Sequence, residues 1–181
     1  MEAKDLGAEL TLTPLNRKHD VESFSCGREA LDNFLKRFAL SHPAHGLSQT
    51  WVFKLSNNRV VGYFTLSAST INISEATERV AKGMPRYPIP VVLLARIAVD
   101  KDFQGQGLGR LLMIEAMRKA ADLGIAIADN GLLPLRALLV HAKDEVAAKF
   151  YEKFGLERSP TDALHLMILL KAIEESFKQG D

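Results

Sequence analysis

One cysteine, Cys26, stands in the 181 residues. A single cysteine excludes an internal disulfide framework, and no Cys/His spacing of a zinc site surrounds it. Cys26 is therefore either a small packed residue or a thiol nucleophile. The second role needs a base beside the thiol, and the sequence pairs none with it. No stretch approaches the roughly 20 apolar residues that a membrane-spanning helix requires. Met1 to Leu12 carries charges and lacks the apolar core of a signal peptide, so the cytoplasm is the expected location. There is also no excess of charge: 23 Lys+Arg face 22 Asp+Glu, a net +1. Without a global basic field, any contact with nucleic acid has to come from a local patch. Repeats, linkers and low-complexity segments are missing too. What remains, 47% hydrophobic and 25% charged residues, is an ordinary globular composition. The length suits one domain spanning 1–181 with a real core.

The most informative stretch runs from Val91 to Arg110. Val91 to Val99 is a nearly continuous apolar run, as expected of a strand covered on both faces. Asp100 and Lys101 open a turn. Glycines follow at Gly105, Gly107 and Gly109, and from Leu108 the apolar spacing becomes helical. Glycines at a strand-to-helix junction are often plain turn residues. Three of them alternating before a long amphipathic helix point further, to backbone N–H groups left open to a ligand. Such groups, backed by the helix dipole, bind phosphates. Two familiar phosphate loops fit poorly. The P-loop needs Gly-Lys-Ser/Thr, which is missing. The dinucleotide fingerprint spaces its glycines Gly-x-Gly-x-x-Gly, whereas here they run Gly-x-Gly-x-Gly.

Along the rest of the chain the spacing predicts strands over 10–15, 50–55, 60–73, 135–142 and 164–170. Helices are expected over 25–40, 74–82, 107–123 (closed by Gly124), 144–154 and 171–178. Asp144 is the expected cap of its helix, with Val146, Ala147, Phe150 and Phe154 facing inward and Gly155 ending it. Gly62, inside a strand pattern, marks a bulge or a close neighbour. Met84 to Pro90 reads as a proline-stiffened connector outside any central strand. Ile125 to Leu133 carries no clear pattern.

Gln104-x-x-Gly107-x-Gly109 resembles the acyl-coenzyme A pyrophosphate loop of the GNAT superfamily of N-acetyltransferases. Asp144 to Leu156 resembles that superfamily's second motif, Asn-x-x-Ala-x-x-x-Tyr-x-x-x-Gly-Phe. The resemblance implies an α/β (α+β) fold. Its mixed central sheet has antiparallel N-terminal strands and two splayed parallel strands, with helices on both faces. The cosubstrate it implies is acetyl-coenzyme A. Its pyrophosphate would lie on the amides of Gln104, Gly105, Gln106, Gly107, Leu108, Gly109 and Arg110, and its pantetheine arm beside Ile97, Ala98 and Val99. Asp144 and Phe150 would complete the cofactor set, although relatives carry Asn where Asp144 stands. Tyr151 matches the tyrosine that points at the sulfur. A phenol of pKa ~10 stays protonated while a departing thiol sits near ~8.5, so Tyr151 can act as general acid. Packing beside Phe150 and Phe154 is the plainer role for the same side chain.

A general base is harder to name. Many members place a Glu on the cofactor strand or the one before it, but Val91 to Val99 holds no carboxylate. Glu75 and Glu78, on an expected exposed helix, and His42, His45, His141 and His165 are the candidates, each histidine more readily a surface or structural residue. A lysine acceptor (~10.4) needs a base far more than an α-amine (~7.7–8.0), which favours an α-amine. Arg96, alone in charge on its strand, either holds an anionic part of the acceptor or sits in an internal ion pair.

Phe24 to Leu35, Gly46 to Thr50 and Val60 to Ser67 further resemble the toxin branch of the superfamily, the acetyltransferase toxins of bacterial type II toxin–antitoxin pairs. That resemblance implies an aminoacyl-tRNA substrate, a ribbon-helix-helix antitoxin, operator DNA reached only through the antitoxin, and a homodimer. For tRNA the local basic residues are Arg28, Lys36, Arg37, Arg79, Lys82 and Arg86. Of these, Arg37, Lys82 and Arg86, with Arg96, are the expected substrate contacts. A solvated mixed-charge surface is the alternative.

Overall fold

The computed structural model describes residues 10–41, 48–131 and 134–180. The strands are β1 (Thr11–Pro14), β2 (Ser48–Lys54), β3 (Val60–Ile71), β4 (Ile89–Val99), β5 (Ala137–His141), β6 (Glu157–Arg158) and β7 (His165–Leu169). The helices are α1 (Glu29–Asn33), α2 (Glu78–Ala81), α3 (Leu108–Asp129), α4 (Glu145–Glu152) and α5 (Leu170–Gln179). The seven strands form one mixed sheet in the order β1-β2-β3-β4-β5-β7-β6. β1 with β2, β2 with β3, β5 with β7 and β6 with β7 pair antiparallel. β4 and β5 pair parallel, and a parallel pair needs a crossover, which α3 supplies. Their pairing runs from Val91↔Ala137 to Leu94↔Val140, while β4 itself continues to Val99.

The described residues fall into two compact units. One draws on 1–67 and 95–116, the other on 68–94 and 117–181. In the first, Phe24, Phe34, Leu35, Val52, Val60, Tyr63 and Ala98 are buried together. Tyr63 is fully enclosed, and its hydroxyl donates to the Leu31 carbonyl at 2.8 Å. In the second, Ile71, Val80, Ile89, Val91, Ala137, Leu139 and Met167 form the core.

Several elements differ from what the spacing predicts. The helix expected over 25–40 begins only at Glu29 and passes into a π-helical turn, Phe34–Phe38, closed by Ala39 N–H donating to the Phe34 carbonyl. Residues before it are held otherwise. Asp32 accepts from Cys26 N–H, Asp100 accepts from Ser25 N–H, and Gly27 has φ +86°. The 74–82 helix splits into a 3-10 turn, Ile73–Glu75, and α2. Pro90 lies in β4 as its second residue, a place near a strand end that proline tolerates.

α3 passes straight through Gly124 instead of ending there. Leu170 Cδ1 lies 2.8 Å from where a Cβ would stand, so that glycine admits a neighbour rather than capping a helix. Gly62 meets both expectations. A Cβ there would lie 2.9 Å from Leu112 Cδ1, and the β2–β3 register shifts beside it, between Phe53 and Lys54. In α4 Val146 faces outward, 78% exposed, while Ala148 and Tyr151 are the buried residues. β6 had no sequence signal. His42, His45, Gly46, Leu47 and Leu133 lie outside the described residues.

Candidate active site

The strand-to-helix junction is built by hydrogen bonds that the sequence did not advertise. Asp100 leaves β4 buried, at 1% exposure. Its carboxylate accepts from Ser25 N–H (3.0 Å) and Asp102 N–H (3.0 Å) and lies 3.4 Å from Arg59 Nη2. Arg59 also pairs with Asp102 at 2.8 Å and lies over the Phe103 ring. A buried carboxylate has to be satisfied by donors of this kind, and here they pin the turn from several directions. A 3-10 turn, Lys101–Phe103, follows. Gln104 Nε2 then donates to the carbonyls of Val99 (2.9 Å) and Cys26 (3.0 Å), tying the loop back to the strand it left.

Beyond Gln104 the backbone changes hand twice. Gly105 has φ +73° and Gly107 +84°, conformations that favour glycine. Leu111 N–H donates to the Gly107 carbonyl, the first α-helical bond. The N–H groups of Leu108, Gly109 and Arg110 precede it, in the turn where a helix has no acceptors of its own. Gln104 to Gly107 are exposed. Gly109 faces Val99 Cγ2 at 3.9 Å from a notional Cβ, ordinary contact distance. This geometry suits a diphosphate: donors on a helix N-terminus, with no side chain on the two left-handed residues. Ile97, Ala98 and Val99 form the last turn-side stretch of β4 in the same unit, with Ala98 buried and the other two half-buried.

Tyr151 belongs to the second unit. Its helix starts at Asp144, whose carboxylate accepts from Ala147 N–H at 2.8 Å. That oxygen is thus engaged in capping. Gly155, at φ +85°, closes the helix end. Phe150 meets Tyr151 edge-on (5.4 Å between ring centres) and Phe154 likewise (5.1 Å). Tyr151 is 8% exposed, and burial raises its pKa above the ordinary phenol value. It therefore holds its proton throughout the neutral range. Arg158 draws Glu145 and Glu152 together, at 2.7 Å from each, and braces the same helix from outside.

The proposed substrate contacts are distributed. Arg37 sits exposed in the π-helical turn of the first unit, Lys82 and Arg86 exposed on the segment between α2 and β4 of the second. Arg79 is engaged with Glu157 at 3.3 Å. The Arg96 guanidinium lies over the Phe34 ring, 3.7 Å from its centre, a cation–π contact that neither expectation named. Tyr87, 75% exposed beside Arg86, was also missed. Glu75 accepts from Asn72 N–H at 2.8 Å in a capping box. Burial pushes the Cys26 thiol up to about 11, and its Sγ lies 3.6 Å from the Arg28 carbonyl, so at neutral pH it is not a thiolate.

A mixed sheet with a pinned turn and a glycine-opened helix start after β4 is the fold of an acyl-coenzyme A transferase. Residues 46–158, more than half of the chain, match the model of the acetyltransferase (GNAT) domain, and the chain belongs to that family. Among characterised proteins it is 42% identical over 152 residues to a tRNA-acetylating toxin of Mycobacterium tuberculosis, covering 84% of this chain and 87% of that one. Among solved structures it resembles AtaT complexed with acetyl-methionyl-tRNAfMet, at a TM-score of 0.82 and 27% identity over 93% of this chain and 99% of that one. It also resembles a Tyr-to-Phe mutant of the AtaT toxin bound to the C-terminus of the antitoxin AtaR and acetyl-CoA. There the TM-score is 0.73 and the identity 29%, over 94% and 99% of the two chains.

Proposed function

We propose that residues 1–181 form one acetyltransferase domain that moves the acetyl group of acetyl-CoA to the α-amine of aminoacyl-tRNA, blocking translation as a toxin. The observation that carries the acetyl-CoA part is the Gln104–Arg110 turn, with its two left-handed glycines and open helix N-terminus. The tRNA part is supported by the 42% identity to a tRNA-acetylating toxin. In this reading the amides of Gln104 to Arg110 hold the diphosphate and Ile97 to Val99 line the pantetheine arm. Asp144 holds the turn before α4, and Phe150 packs against the tyrosine. The amine attacks the thioester carbon directly, and Tyr151, kept protonated by burial, gives its proton to the leaving thiolate. Backbone N–H groups near Ile97 supply donors for the oxyanion.

Arg37, Lys82, Arg86 and Arg96 take the acceptor side. A ribbon-helix-helix antitoxin, operator DNA bound through it, a homodimer and a cytoplasmic setting complete the proposal. Among the described residues no helix is long and apolar enough to cross a membrane.

The test is incubation with labelled acetyl-CoA and total charged tRNA. Label in nucleic acid, lost on hydrolysis of the aminoacyl ester, is the expected result. Label confined to protein or small amines would assign the enzyme to a different acceptor and remove the toxin reading.

A further inference from the structure

β5 ends in His141, the residue immediately after Val140, where the parallel pairing with β4 stops. His165 opens β7 directly across from it. The two imidazoles stack, 3.9 Å between ring centres and 19° from parallel. They line a cavity of about 150 Å³ together with Ser69 and Thr70 of β3, Glu75 and Ser159. Two acids lie around the pair. Asp162 Oδ2 is 3.5 Å from His165 Nε2, and Glu75 lines the cavity with His141. The Ser159 hydroxyl donates to the Glu75 carbonyl at 2.6 Å, holding that wall in place. The second unit, which carries Tyr151, contains every one of these residues.

We propose that this cavity receives the acceptor's primary ammonium group and that His141 takes its proton. The proposal deepens the acetyl-transfer reading given under the proposed function and rests on it. Part of the α-amine arrives as a cation at neutral pH, and carboxylates beside a cavity favour that form. Attack on a thioester needs the neutral form. A base at the pocket wall, facing the acids that attracted the cation, serves both needs. The bonds balance as follows. The ammonium gives one proton to a ring nitrogen of His141, which solvent later removes. The neutral nitrogen forms the N–C bond as the C–S bond breaks. The thiolate takes the Tyr151 proton, and the second nitrogen proton restores the phenol.

His141 is suited to the task. Partial burial lowers its pKa and the stacked His165 lowers it further, against the raising effect of Asp162 and Glu75. It is thus an unprotonated base at pH 7. Activity should fall as pH drops through its lowered pKa, below the ordinary histidine value of ~6.5. Removing the ring of His165 relieves one of the lowering influences, so the acid limb should move to higher pH.

The experiment compares wild type, His141→Gln and His165→Gln on two acceptors, charged tRNA and amino-acid methyl esters, with acetyl-CoA affinity and melting temperature measured alongside. His141→Gln should lose on the order of 100-fold in kcat/KM at pH 7. The loss should shrink as pH rises and the amine deprotonates unaided, while acetyl-CoA affinity and melting temperature hold. His165→Gln should shift the acid limb upward. In wild type, the His141 ring proton resonance should move on addition of the methyl esters alone. A His141→Gln enzyme within about twofold of wild type and with an unchanged pH profile overturns the pocket, while label in tRNA still upholds the substrate. Acetylated esters with unlabelled tRNA overturn the tRNA reading and keep the pocket. An unmoved His141 resonance counts against the pocket whichever acceptor is labelled.

Discussion

Tyr151 and Gly107 carry different parts of the proposed reaction. Tyr151 is enclosed, so its phenol is costly to ionise and useful only as a donor. Tyr151→Phe keeps the ring contacts with Phe150 and removes the donor. It should lower kcat by about 100-fold or more, within the range for a lost general acid, and leave the KM for acetyl-CoA within about twofold. Gly107→Val should do the reverse. A β-branched residue resists φ +84°, and its side chain stands where the diphosphate would lie, so acetyl-CoA affinity should fall first. Steady-state kinetics with acetyl-CoA varied separates the two patterns. The turn at Gly107 and the helix that carries Tyr151 were legible from sequence because motif spacing ties them to a backbone turn and a helix register. Asp100 and Arg59 were not. Their partnership joins positions 41 residues apart, and no local pattern announces which surface arginine turns inward.

Elements were legible wherever one periodicity acted alone. β4, β5, β7 and α4 lie within a few residues of where the spacing puts them, because their apolar runs have nothing to compete with. The first helix failed for a nameable reason: Asp32 and Asp100 take the N–H groups of Cys26 and Ser25, so a sequence with helical spacing starts its helix late. Gly124 failed because glycine serves two purposes, capping and admitting a neighbour, and composition cannot separate them. The two packing glycines give a direct comparison. At Gly62 a Cβ would press on Leu112, itself fully buried in a filled core, with the Ala98 carbonyl 3.5 Å away. Gly62→Ala should cost about 1–3 kcal/mol, the usual penalty of overpacking. At Gly124 the near atom is also a leucine terminal methyl, that of Leu170, but its three nearest neighbours are all atoms of that one side chain and the glycine is half-buried. Replacing a mid-helix glycine gains about 1 kcal/mol, so Gly124→Ala should stay within about 1 kcal/mol of wild type. Urea denaturation of both variants checks the ordering.

For the whole molecule the question is how a chain of net +1 would hold a polyanion. Overall charge contributes almost nothing, so any phosphate grip must reside in a local group of cations. Arg158 is committed to Glu145 and Glu152, Arg59 to Asp100 and Asp102, and Arg79 to Glu157. Arg37, Lys82 and Arg86 are exposed, and they are the residues assigned to the substrate under the proposed function. Each phosphate contact releases a counterion, so affinity falls with salt at a slope of roughly 0.7–0.9 per contact. With three such contacts, the slope for charged tRNA should be shallow, near 2–3 in all, against about 10 for a strongly electrostatic binder. Replacing Arg37, Lys82 or Arg86 by alanine should raise the KM for charged tRNA and lower that slope by just under one each. The KM for acetyl-CoA should not move, because the diphosphate is assigned to backbone amides and those keep their geometry. Steady-state rates at several salt concentrations read both quantities at once. Unaltered KM and slope in all three variants would leave the tRNA held by shape and by its aminoacyl end rather than by these charges.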